Sequence, residues 1–149
     1  MILISKIKIK HIFIFYILST LSLILFTTVT NFNLTGYSYQ YHENGDLTIE
    51  KGYIIKDQVI NTPTNEAIQA IELISKANAY WNVTYVFCLV FFLLLFKNAY
   101  KPFRPEKNWK RYVTFYSIVL IAFLVWIISS QVTLTEQIAT IINDLKGGE

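Results

Sequence analysis

Charge is what three parts of this sequence lack. Residues 12–30, 80–96 and 112–130 contain no Asp, Glu, Lys, Arg or His. An ionisable side chain at membrane depth is costly and marks an ion or proton path, so these stretches offer no such path. Cysteine is nearly absent too. Cys88 stands alone in an apolar run, which excludes an intramolecular disulfide and a Cys-based zinc site. Only two histidines occur, His11 and His42, which leaves little material for a Ser/His/Asp relay or a His metal site. The five glycines form no phosphate-cradling loop. No Gly-x-Ser-x-Gly, His-Glu-x-x-His or dinucleotide fingerprint is present either. These gaps point away from an enzyme, a cofactor and a bound metal.

What is there is apolar surface. Hydrophobic residues make up 54% of 149 positions and the mean hydropathy is +0.41, too apolar for a soluble domain of this size. At a rise of ~1.5 Å per residue, the three uncharged stretches cover roughly 26–29 Å as helices, close to the ~30 Å hydrocarbon core of a bilayer. A helix satisfies every backbone polar group internally, as lipid demands. The fold class expected is an all-α membrane protein: three transmembrane helices with a small extracytoplasmic β-hairpin and an amphipathic helix as a cap.

The charges between the stretches alternate in sign. Residues 1–11 carry Lys6, Lys8 and Lys10 (net +3), and residues 31–79 are net −3. Residues 97–111 hold six Lys or Arg against Glu106 (net +5), and residues 131–149 are net −2. Lys and Arg stay on the cytoplasmic side, so the expected order is in, out, in, out across a bacterial inner membrane. The first stretch reads as a retained anchor: its apolar run exceeds that of a signal peptide, and no small-residue cleavage site follows it. Tyr80, Trp81 and Trp126 mark outer edges, while Tyr100, Trp109 and Tyr112 mark inner ones.

The segment 31–79 reads as a hairpin followed by a helix. Tyr37, Tyr39 and Tyr41 alternate with polar residues, then Glu43-Asn44-Gly45 turns the chain, then Leu47, Ile49 and Lys51 alternate. A three-residue loop with Gly45 at positive φ sets Tyr41 opposite Leu47 and Tyr39 opposite Ile49. Gly52-Tyr53-Ile54-Ile55 is a candidate third extended piece. Thr64 is placed to cap a helix starting near Asn65, with Ala67, Ile68, Ile71, Ile74 and Ala77 at helical spacing, running unbroken into the second stretch. Pro105 suits the first turn of the third helix. In the tail, Thr133-x-x-Glu136 resembles a capping box, followed by a stripe of Ile138, Ile141, Ile142 and Leu145; the tail forms a separate short helix or extends the third stretch, and the cap slightly favours a break near Gln131.

The two stripes and the tyrosine face either pack on one another or meet a partner. The candidate partner-binding residues are Tyr37, Tyr39, Tyr41, Ile68, Ile71, Ile138 and Ile141, together with Ser19 and Ser22, whose small side chains let another helix approach closely. The Asn33-Leu-Thr35 and Asn82-Val-Thr84 triplets match the glycosylation pattern by chance, since the second lies in an apolar stretch. Membrane lipid and a larger membrane or periplasmic protein are the expected partners; nucleic acid is not. The role this favours is an accessory or regulatory subunit that docks on that protein. In size, topology and composition the layout also resembles the immunity proteins of pore-forming bacteriocins. That resemblance implies neutralising a pore-forming toxin by helix contact in the inner membrane. A holin-like pore is a third reading, with the Ser/Thr side of the first stretch as its lining.

Overall fold

The computed structural model describes residues 9–103 and 105–147. The charges of Lys6, Lys8, Arg104 and Glu149 lie outside the described residues. The chain divides into two compact units, one ending at Phe32 and one running from Asn33 onward. Among the described residues are three helices long and apolar enough to cross a membrane, and one small sheet.

The first unit is helix α1, Ile9–Thr30, of 22 residues and so about 33 Å long. Its threonines turn their hydroxyls inward. Thr20 donates to the Tyr16 carbonyl at 2.8 Å, Thr28 to Ile24 at 2.8 Å and Thr30 to Phe26 at 2.7 Å. Thr27 reaches both the Leu23 and Ile24 carbonyls. Donors spent on the helix's own backbone leave a weaker polar lining than the residue types suggest. The helix stops because Asn31 takes φ +48° and Phe32 N–H reaches back to the Thr27 carbonyl at 3.3 Å. The Phe26 and Phe32 rings meet at 5.7 Å, the apolar contact that accompanies such an end.

The second unit begins with strands β1 (Tyr37–Tyr41), β2 (Asp46–Lys51) and β3 (Asp57–Pro63), an antiparallel sheet in that order. Tyr39 pairs with Ile49 and Tyr41 with Leu47, the register that the alternation predicts. Gly45 has φ +87°, and His42 N–H closes the three-residue loop on the Asp46 carbonyl at 2.9 Å. The third strand is displaced from its expected place. Residues 53–55 form a bend, and β3 starts at Asp57. It pairs through Asn61 and Thr62, residues whose polarity hides a strand with one solvated face. A register shift between Ile49 and Glu50 leaves Val59 as an extra residue, so Val59 and its neighbour Ile60 both pack on the core.

Helix α2 runs Ile68–Ala99 and helix α3 runs Trp109–Gly147. At 32 and 39 residues they are about 48 and 58 Å long. Three expected helix signals prove to be something else. Thr64 does not cap α2; its hydroxyl and N–H both bind the Gly45 carbonyl, at 2.9 and 3.3 Å, and so tie β3 to the hairpin loop. Pro105 lies four residues before α3, whose first acceptor is the carbonyl of Asn108, at φ +62°. Thr133 does not break α3; its hydroxyl bonds back to the Ser129 carbonyl at 3.1 Å, and the helix continues through it.

The two helices are antiparallel neighbours. Ring pairs mark their register: Tyr80 with Trp126 at 5.8 Å, Phe87 with Phe123 at 3.8 Å and Phe91 with Tyr116 at 6.0 Å. Besides Asn98 near its end, the buried positions of α2 are Ala70, Ile74, Ala77 and Thr84; those of α3 are Leu120, Ile127, Gln131, Leu134, Ile138 and Ile142. Spacings of three, four and seven are those of a coiled-coil seam. At its sheet-bearing end this seam merges with Tyr37, Leu47, Ile49 and Ala67 into one core. The alanines at 67, 70 and 77 are fully buried and allow the backbones to approach. Gln131 crosses the seam and donates to the Ala77 carbonyl at 3.0 Å.

Asn33 joins the sheet to the hairpin of helices. Its side-chain amide donates to the Tyr37 carbonyl at 2.8 Å and to Asn78 Oδ1 at 2.6 Å. Its own Oδ1 accepts from the Thr35 N–H at 3.0 Å and from the Thr35 hydroxyl. All four hydrogen-bonding positions of a buried amide are thereby used. Asn33→Ala should cost about 1–3 kcal/mol, because it strands buried partners. Limited proteolysis checks this: cleavage within residues 37–63 should accelerate while the helical circular dichroism stays unchanged.

Candidate functional site

The tyrosine face and the two apolar stripes largely meet one another. Tyr37 and Ile138 are in the core, at 4% and 0% exposure, and Tyr39, Ile71 and Ile141 pack partly buried against it. Tyr39 also places its hydroxyl 3.2 Å from the hydroxyl of Ser75 on α2. Tyr41 and Ile68 remain exposed, at 60% and 58%. Ser19 and Ser22 lie one turn apart on α1, in the other unit. Most of the expected binding surface is thus an internal core. Covering Ile and Leu side chains fully contributes about 1.5–3 kcal/mol each.

What stays open is a groove between α2 and α3, on a different side of α2 from Ser75 and Asn78, the residues that hold the sheet. It has a volume of about 780 Å³ and is bordered by Glu72 and Leu73 of α2 and by Glu136, Thr140 and Ile141 of α3. The helices are joined at their other ends by residues 100–108. Helical spacing accounts for the lining. Ile74 and Ile138 turn into the seam, so Glu72, Leu73 and Glu136 are carried to its flank. Both carboxylates are solvent-exposed.

A second hollow of about 360 Å³ continues along the same flank toward the charge-free stretches, sharing Thr133 and Gln137 with the first. It is bordered by Lys76, Tyr80 and Trp126. The Lys76 ammonium sits 5.9 Å from the Tyr80 ring centre, close enough for a cation–π contact. The flank therefore presents two acids, a lysine and aromatic edges around Leu73, Ile141 and the uncharged polar side chains of Gln69, Thr133, Gln137 and Thr140. An extended peptide or a helix with a few cations and apolar side chains has the complementary chemistry.

Acid–base and metal chemistry have less to work with. Among the described residues no three His, Cys, Asp or Glu side chains gather as a metal site would need. His42 stands 2.6 Å from the Thr48 hydroxyl, which donates in turn to Asn61 at 3.3 Å. With that hydroxyl proton committed, His42 Nε2–H is the donor, and the chain of bonds ties the ends of β1, β2 and β3 together. Neither the groove nor the Asn33 and Gln131 bridges was named from the sequence. The amides carried a faint signal, as polar residues bordering apolar stretches. The groove carried none, since it depends on which residues two helices present side by side. Compared with protein-family models, curated proteins and solved structures, the chain matches none.

Proposed function

We propose that this chain is a non-enzymatic accessory subunit of a larger membrane or envelope protein. In this reading its three apolar helices cross a bacterial inner membrane, and the sheet with the adjoining ends of α2 and α3 forms a cap on the outer side. The observation that carries the docking role is the open groove beside the buried core. The cap buries Tyr37, Leu47, Ile49, Ile74 and Ile138 within itself, yet leaves Leu73 and Ile141 at an unfilled cleft between Glu72 and Glu136. A cleft in which Leu73 and Ile141 lie among uncharged polar side chains and two carboxylates suits a partner segment bearing Lys or Arg beside apolar residues.

Orientation follows from charge. Residues 97–111, which join α2 to α3, carry a net charge of +5, whereas the sheet segment and the tail are acidic. In a Cys88→Ala background, an impermeant thiol reagent on intact cells should label Asn44→Cys and leave Lys107→Cys unlabelled until lysis. Labelling in the opposite sense would invert the topology and move the groove to the cytoplasm.

The docking role is tested by purifying the tagged full chain in mild detergent. A stoichiometric partner should accompany the wild type and be lost from Glu72→Lys/Glu136→Lys, which inserts normally. Isolation with no partner, or a partner indifferent to the reversed charges, would contradict the role. Retention of a pore-forming toxin by that double variant would favour the immunity-type reading instead.

A further inference from the structure

The loop between β2 and β3 has a form that the docking groove does not explain. Ile54 and Ile55 at its tip are 82% and 83% exposed, more than any large apolar side chain of α2 or α3. Turns in water favour Gly, Asn, Asp, Ser and Pro. Two adjacent isoleucines held outward need a covering surface.

The loop is also built rather than loose. Gly52 takes φ +139°, and a Cβ there would lie 2.0 Å from the Ile55 carbonyl oxygen, so only glycine permits this curl. Gly52 N–H donates to the Gly36 carbonyl at 2.8 Å, and the Tyr53 hydroxyl donates to the Leu34 carbonyl at 2.9 Å. Lys56 reaches the Ser38 hydroxyl at 2.8 Å. The tip is presented by a pinned frame.

Its height along α2 can be read from two bonds. Tyr39 meets Ser75, whereas Asn33 meets Asn78, so β1 runs away from the charge-free stretch as it proceeds from Tyr37 to Tyr41. The hairpin loop at Asn44 is therefore at the far end. The β2–β3 loop is at the near end, level with residues 34–36 and Asn78. Lys76 is the last charge of α2 before that stretch, and Tyr80 and Trp81 open it. Residues 54 and 55 follow Lys51, which pairs with Tyr37 at this near end.

We propose that the tip of the β2–β3 loop is seated in the outer headgroup layer of the bilayer, with Ile54 and Ile55 reaching the acyl boundary. The loop's level beside Asn78, two residues before the charge-free stretch opens at Tyr80, selects lipid as the occupant. The flanking residues agree. Tyr53 is an interfacial residue type, and Lys51 and Lys56 border the tip where anionic headgroups lie. The cap is thereby held against the membrane at two places, the helices and the loop, and the groove is kept at a fixed height and tilt. The inference rests on the membrane-crossing reading of α2 and α3.

The test uses the full chain, Cys88→Ala, reconstituted in vesicles of phosphatidylcholine and phosphatidylglycerol. A polarity-sensitive fluorophore is attached singly at Ile55→Cys, Asn44→Cys or Val90→Cys. The expected result is blue-shifted emission at position 55 that is quenched by lipid spin-labelled near the headgroup. Position 44 should emit as in water, and position 90 should respond to a deep label. Water-like emission at position 55 with deep quenching at position 90 would overturn the loop's seating and leave the crossing intact. Water-like emission at position 90 would overturn both. A blue shift at position 55 without lipid quenching would mean that protein covers the tip, and would also overturn the proposal.

Discussion

The seam between α2 and α3 governs everything else in the second unit. It begins among residues with no charge, where Phe87 stacks on Phe123, and continues without interruption to Ile74, Ile138 and Ile142 beneath the sheet. Under the proposed membrane crossing, two environments are bridged by one packing pattern. In the charge-free part the helices need only satisfy their backbone and fit each other's surface. Beyond Gln131 the same periodic positions become the floor of an aqueous-type core, where burial of Ile and Leu supplies the stabilisation. A two-stranded hairpin alone is marginal in water, and here a third strand and packing on the helix ends complete it. It folds because the helix ends hold a ready platform for it.

Polar side chains finish what the seam begins. Gln131 ties the two helices where the charge-free stretches end, through the Ala77 carbonyl. The next residue of α2, Asn78, receives Asn33, which also fixes the start of β1. Buried amides of this kind add little net energy when satisfied, and cost a good deal when a partner is removed. Their effect is to specify a single register: the sheet sits at one height on α2 and with one strand end toward the apolar stretches.

Much of this was legible in the sequence. Uncharged runs gave the three long helices, and the Tyr37–Tyr41 alternation with Gly45 gave the hairpin register. The misreadings share one cause. Thr64, Thr133 and Pro105 are residue types favoured at helix starts, but a local signal yields to tertiary packing. Thr133 lies on a helix already held on both sides by Gln131, Leu134 and Ile138, so its hydroxyl simply bonds backward. Thr64 is drawn to the Gly45 carbonyl, nineteen residues away in sequence, a contact invisible before the sheet is formed. The residues 52–55 look like a strand because Ile and Tyr favour strands. The curl at Gly52 and the pairing of Asp57–Pro63 displace them to a loop tip. The groove was beyond sequence reading altogether, being the product of two helix flanks set side by side.

The central claim is that one unbroken helical seam serves both the apolar stretch and the cap. Hydrogen–deuterium exchange of the full chain in lipid nanodiscs, resolved over residues 127–142 of α3, tests it most directly. The account predicts protection that continues through 131–136 into the segment packed beneath the sheet. A window of rapidly exchanging amides at 131–136, separating two protected segments, would contradict it.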